Sequence, residues 1–205
     1  MNGFDILFTL DDVEPVTSRR IIVPEGITFK RLHEIIQLAF GFENKSKYKF
    51  SFNDFSLEII ELNSINPDNI NATTEPIDKY FQAFSNVSYM YDFENRWTVT
   101  LDISTVEYEK SYPQFIEYHG RYNPFDECLN RDNFMMLLDM KKNPDKYDNL
   151  NDYVDWLGKL KYISKLNINE SLMHMFNVPF KKVAHRIVEV EVDPSYSLDD
   201  FLSKK

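Results

Sequence analysis

The chain of 205 residues carries a single cysteine, Cys128, and only five glycines. One cysteine excludes an internal disulfide and removes the usual pointer to secretion. So few glycines leave little scope for backbone amides to wrap a phosphate. No Gly-rich phosphate loop, nucleophile elbow or Cys/His metal cluster is present, so neither a cofactor nor a metal is expected. Basic side chains are in deficit, with 23 Lys and Arg against 33 Asp and Glu, for a net charge of −10. Direct binding to a nucleic-acid backbone needs clustered Lys and Arg, so that class is disfavoured. No apolar run approaches the ~20 residues that span a bilayer. The start, Met1-Asn2-Gly3-Phe4-Asp5, lacks the basic-then-apolar pattern of a signal peptide. These absences together lead to the expectation of a cytoplasmic protein.

What the chain does have is aromatic bulk: 17 Phe, 12 Tyr and two Trp. A domain of this length buries roughly 70% of its unfolded surface, and such side chains supply the core without a disulfide or metal. The acidity is concentrated. Between Asp92 and Glu127 eight acids face three bases, which is half the net charge of the whole chain. A solvated surface explains such an excess. An acidic face that docks a basic partner protein, itself a nucleic-acid binder, explains it as well, and Glu107, Glu109 and Glu117 are the candidates for that face.

Period-2 alternation marks a strand over Phe4–Leu10, and Arg19–Val23 reads as a second, closed by Pro24-Glu25-Gly26. Thr28 is placed to cap a helix over Phe29–Phe40, with Leu32, Ile35, Ile36, Ala39 and Phe40 on one face and Gly41 as its C-cap. Tyr48, Phe50 and Phe52 alternate again, and Phe55–Leu62 extends the sheet. Asn63–Lys79 reads as a long surface loop. Val87–Phe93 and Trp97–Ile103 form a hairpin around Glu94-Asn95-Arg96. Asn130 caps a helix to about Met140, broken by Pro144. Further helices are expected over Leu150–Leu160 and Asn169–Phe176, then a strand over Val183–Val192. Strands first and helices second predict an α+β fold: a mixed, largely antiparallel sheet, one N-terminal helix packed on it, a helical C-terminal half and a late C-terminal strand. One domain over residues 1–205 is expected.

Four stretches in order carry a resemblance. They are Arg19-Arg20-Ile21-Ile22-Val23-Pro24; Leu32-His33-Glu34-Ile35-Ile36-Gln37-Leu38-Ala39-Phe40-Gly41-Phe42; Tyr89-Met90-Tyr91-Asp92-Phe93 with Trp97 beyond; and Asp155-Trp156-Leu157-Gly158. Over about residues 4–160 the chain resembles the plasmid pRiA4b ORF-3-like family, also described as insertion-element passenger or TnpR-like proteins. Residues 177–205 lie outside the resemblance as a C-terminal extension. The resemblance implies a compact α+β fold and an association with mobile elements. It does not imply recombinase chemistry, which needs a nucleophilic Ser among arginines and a basic helix-turn-helix. The chain also departs from the family pattern. Ser18 stands where a Trp precedes the paired arginines, Lys45-Ser46-Lys47-Tyr48-Lys49 lacks the paired histidines, and Asp92-Phe93-Glu94-Asn95-Arg96-Trp97-Thr98-Val99 lacks a Gly, an Asp and a His. Asn123-Pro124-Phe125-Asp126-Glu127-Cys128-Leu129 replaces a Pro-Pro-Glu-Asp run followed by paired glycines. A polar site built on those family residues is therefore eroded here.

The remaining candidates are set beside their structural readings. His33 reads as a half-buried helix histidine rather than a base or ligand. His119 lies in a loop suited to a cleft, but it reads first as a solvated loop histidine. His174 and His185 lack ligand spacing, and Cys128 reads as an inert thiol. Asp92 and Trp97 flank a hairpin tip, where they would meet Arg19 or Arg20. Alternation allows only one of those arginines to face such a pocket. A cleft of Arg19 or Arg20 with Asp92, Trp97, His119 and Asp126 is the alternative to the acidic face, as an enzyme or small-ligand site. For Asp92 and Trp97 the preferred reading is structural, an ion pair and a core indole. The methionines Met135, Met136, Met140, Met173 and Met175 read as core filler.

Overall fold

The computed structural model describes residues 2–52, 58–60, 70–120, 123–124, 128, 130–147, 183–184 and 187. Among the described residues eight strands build one sheet: β1 (Asn2–Leu10), β2 (Thr17–Pro24), β3 (Tyr48–Phe52), β4 (Glu58–Ile60), β5 (Ile70–Asn71), β6 (Asn86–Tyr91), β7 (Trp97–Glu107) and β8 (Gln114–His119). Their spatial order is β5-β4-β3-β6-β7-β1-β2-β8. Every pairing is antiparallel except that of β4 with β5.

Alternation divides the sheet into two faces. Phe4, Ile6, Phe8 and Leu10 of β1 are buried, as are Val99, Leu101 and Ile103 of β7, Val87, Tyr89 and Tyr91 of β6, and Tyr48, Phe50 and Phe52 of β3. The register aligns them, with Phe8 opposite Leu101, Ile6 opposite Ile103 and Phe50 opposite Tyr89. The opposite face carries Asp5, Thr9, Ser88, Thr98, Thr100, Asp102 and Ser104, none of them buried. One face builds the core and the other is open.

Helix α1 (Phe29–Phe40) begins and ends where its caps predict. The Thr28 hydroxyl accepts from the Arg31 amide at 3.3 Å, and Gly41 takes the left-handed conformation (φ 77°) that a Cβ would disfavour. The helix is not merely amphipathic: Arg31, His33, Glu34 and Gln37 are buried along with its apolar residues. Phe29 anchors it against Phe50, Phe52, Tyr80 and Phe81, with ring centroids 5.1–6.0 Å apart. Tyr80 and Phe81 belong to α2 (Asp78–Ala83), a short helix at the end of the stretch read as loop; β5 lies inside that stretch too.

The helical C-terminal half does not hold among the described residues. β7 runs on to Glu107 and β8 follows it, so strand occupies the middle of the chain, and α3 (Arg131–Lys142) comes beyond it. Asn130 caps α3 as expected, its Oδ1 accepting from the Asn133 amide at 3.0 Å. Pro144 opens a 3-10 turn to Tyr147. The late strand over Val183–Val192 is not supported where residues are described: Val183, Ala184 and Ile187 are helical. The physical reason is spacing, because Val183 and Ile187, both buried, stand four apart on one helical face. The helices read over 150–160 and 169–176 lie outside the described residues. No helix among the described residues is long and apolar enough to cross a membrane.

A closed ring of hydrogen bonds fixes α1 to the sheet. Asn44 Oδ1 accepts from His33 Nε2 at 2.6 Å, which leaves Nδ1 to accept from the Tyr89 hydroxyl at 2.7 Å. Gln37 Nε2 donates to the same hydroxyl at 3.0 Å, and the Asn44 amide donates to Gln37 Oε1 at 2.8 Å. The His33 ring also stacks on Tyr48 with centroids 3.6 Å apart. Removing the shared hydroxyl in Tyr89→Phe deprives His33 and Gln37 of that partner. We expect urea denaturation to show a loss of about 1–3 kcal/mol; an unchanged midpoint would contradict the ring.

Candidate functional site

Arg19 and Arg20 are adjacent on β2, so their side chains leave opposite faces of the sheet. Arg19 stands opposite Phe8 and turns into the core, where it is fully buried. Its Nε donates to the Ala39 carbonyl at 3.1 Å, at the end of α1. Nη1 donates to the carbonyls of Ser18 (2.7 Å) and His119 (2.6 Å), and Nη2 to Asn123 Oδ1 (2.8 Å). The guanidinium lies over the Phe40 and Tyr118 rings, 5.2 and 5.7 Å from their centroids. Burial pulls its pKa down to about 10, against a smaller opposing effect of Tyr118.

Arg20 turns to the open face. Its Nε and Nη2 grip Asp5 at 2.9 and 2.7 Å, and Nη1 reaches Glu117 at 3.4 Å. Hydrogen bonding to Asp5, then its charge, then Glu117, hold the guanidinium above its ordinary range. Asp102 lies on the same face, opposite Leu7, and accepts from Asn86 Nδ2 at 2.8 Å. Asp5, Leu7, Arg20, Asp102, Ser104 and Glu117 line a shallow concavity of about 480 Å³. Three carboxylates there face one guanidinium. Sequence patterning does not single out Asp5 and Asp102; the signal they carry is a charge at a solvent-side position of a strand whose neighbours alternate.

The other candidate residues do not join this group. Asp92, in a left-handed conformation (φ 57°), closes its own turn, its carboxylate accepting from the Glu94 amide at 3.2 Å and Asn95 Nδ2 at 2.7 Å. Trp97 is a core residue between Phe42 and Phe134. The structural reading of the indole stands, whereas Asp92 serves its turn in place of the ion pair with Arg19 or Arg20. His119 is exposed, and its carbonyl, not its ring, holds Arg19. Asp126, His174 and His185 lie outside the described residues. Cys128 is buried. His33 is wholly buried rather than half-buried, and desolvation pushes its pKa down to about 3. Among the described residues no group of three or more His, Cys, Asp or Glu is placed to hold a metal.

Glu107, Glu109 and Glu117 are all exposed. They do not share one face. Glu107 pairs with Asn2, in step with the core-side residues of β7, while Glu117 pairs with Arg20 on the open side. A bulge between Arg20 and Ile21 makes this possible: Ile21 faces Phe115 and Arg20 faces Glu117, leaving Ile116 over. Phe115 thereby points inward and Glu117 outward.

The chain belongs to the plasmid pRiA4b ORF-3-like protein family, whose model matches residues 2–170. It is 33% identical over 109 residues to the uncharacterized protein y4hQ of Sinorhizobium fredii. That match covers 51% of this chain and 52% of the relative, so the aligned part spans about half the relative's length. A crystal structure of a protein of unknown function from Methanosarcina mazei Go1 has the same fold, with a TM-score of 0.64 at 21% identity. The superposition covers 82% of this chain and 96% of that one.

Two outcomes follow from this geometry. Arg19→Met strands carbonyls from three segments and is expected to cost about 3–5 kcal/mol, whereas Arg20→Ala leaves the melting temperature near the wild-type value; equal effects would contradict the assignment. The second concerns pH. A histidine held near pKa 3 in the fold and 6.5 when unfolded binds its proton first in the unfolded chain. Its contribution is therefore constant above pH 6.5 and is lost as pH falls from there towards 3, by about 1.4 kcal/mol per unit at most. His33→Gln should flatten the urea stability between pH 7 and 5 relative to wild type, and parallel pH curves would count against a buried neutral ring.

Proposed function

We propose that the protein is a non-enzymatic interaction module of a mobile-element-associated family, which docks a basic partner protein on its acidic surface. The observation that carries this is the division of polar groups between the two faces of the sheet. On the core side Arg19, His33, Gln37 and Asn44 are engaged with one another's segments. On the open side Asp5, Asp102 and Glu117 line a concavity, with Arg20, which pairs with Asp5 and Glu117, as the one cation lining it. Groups engaged in fold hydrogen bonds are poorly placed to handle substrate, while a surface of net negative charge attracts cationic segments and suppresses anionic ones. Glu107 and Glu109 extend the acidity to the end of β7, on the other side of the sheet.

The test is affinity capture from nuclease-treated host lysate at low salt. Asp102→Asn with Glu117→Gln should release the partner retained by wild type, and Glu107→Gln with Glu109→Gln should weaken it less. Equal recovery by all three proteins would reject docking through acidic side chains.

A further inference from the structure

The open face of the sheet changes chemistry from one row of side chains to the next. Ser88, Thr100 and Thr9 stand in register across β6, β7 and β1, with Met90 and Thr98 side by side in the row before them. Asp102, Leu7, Arg20 and Glu117 form the row after, across β7, β1, β2 and β8. Leu7, Thr9, Ser88, Met90, Thr98 and Thr100 are half-buried, uncharged and small or apolar, so the middle of the face is a neutral platform. Charge begins beside it, at Asp102. That side chain is exposed and accepts from Asn86 Nδ2, and no cation pairs with it among the described residues. Asp5 and Glu117, by contrast, already share Arg20. Asp102 is thus the carboxylate of this face that a partner's cation can claim.

We propose that this face docks a basic amphipathic helix of the partner, laid along β7 with small and apolar residues over the neutral rows and a Lys or Arg on Asp102. This rests on the docking reading above and names the partner's element and its chemistry. β6, β7 and β1 each pair on both sides, so their amides and carbonyls are engaged in the ladders. An occupant of the face must therefore satisfy its own backbone, which a helix does and a lone extended segment does not. From Thr98 to Ser104 β7 rises about 20 Å, a length that a helix of ~13 residues spans. With α1 already held on the other side, the sheet becomes the middle of three layers. Charge complementarity selects the occupant: a second copy of this chain is a poorer one, because each copy brings a net charge of −10 and like charges oppose their approach.

The experiment uses the full chain and two fluorescein-labelled peptides of equal charge, read by anisotropy at low salt. Both are about 20 residues of Leu, Ala and Lys, long enough to be helical alone. The first carries its apolar residues at helical spacing; the second has its central alanines replaced by Pro, which breaks the helix. We expect the first to bind about tenfold more tightly, and Asp102→Asn to weaken it about threefold to fivefold. Thiol labelling then locates it. Thr100→Cys, confirmed folded by circular dichroism, should react far faster than the buried Cys128 of wild type. The first peptide at about ten times its Kd should slow that reaction about tenfold. Ser88→Cys, in the same row, repeats the measurement if Thr100→Cys folds poorly. Equal binding of both peptides with the introduced thiol left reactive would overturn helix docking while leaving charge-driven docking in place. Failure of both peptides to bind would count against both readings. A thiol as slow as Cys128 in the free chain would show the face already covered, by the rest of the chain or a second copy, and overturns the proposal too.

Discussion

The fold depends on a buried guanidinium. Moving a cation out of water costs several kcal/mol unless its hydrogens are satisfied, and Arg19 meets that condition by collecting oxygens from separate parts of the chain. Ala39 lies at the end of α1, His119 at the end of β8, Asn123 in the segment beyond, and Ser18 on β2 itself. Each is held where it is because leaving would strand a donor in the core. The close approach is visible at Gly120, where a Cβ would lie 2.7 Å from Thr17 Oγ1 and φ is +75°. The guanidinium therefore sets the position of the helix end and the sheet edge together.

That arrangement is matched at the other side of α1. The ring through His33, Tyr89, Gln37 and Asn44 fixes the helix to β6 and to the turn that follows Gly41, and the Lys45 amide continues the tie to the Tyr91 hydroxyl at 2.9 Å. A helix buried on nearly every side has no solvent face on which to leave polar groups. Its Arg31 and Glu34 pair at 2.6 Å for the same reason. The polar residues of α1 are thus explained by the need to satisfy them within the core.

The sequence is legible where period and cap agree. α1 is marked by Thr28, Gly41 and a 3,4 apolar pattern, β1, β3 and the hairpin by strict alternation, and β2 by an apolar run closed by Pro24-Glu25-Gly26. β8 is hidden because its bulge reverses the alternation between Phe115 and Glu117, so Gln-Phe-Ile-Glu-Tyr-His shows no period. β5 and α2 are too short for a period to show, and the period of Val188, Val190 and Val192 says nothing of Val183 and Ile187, whose helical spacing precedes it. At the site, alternation established that Arg19 and Arg20 part company. Which one goes inward depends on pairing with Phe8, a fact of register that one strand cannot report. The grouping of Asp5 with Arg20 and Glu117 depends on the β1, β2 and β8 order, which likewise lies between strands.

The central claim is that Arg19 is an interior structural residue and Arg20 a surface one, and side-chain hydrogen exchange observed by NMR tests it directly. Arg19 Nε–H, donating to the Ala39 carbonyl inside the core, should exchange only through large-scale opening, with protection comparable to the amides of β1. Arg20 Nε–H should exchange far faster, as a solvent-facing group does. Exchange of the Arg19 proton as fast as that of Arg20 would contradict the account.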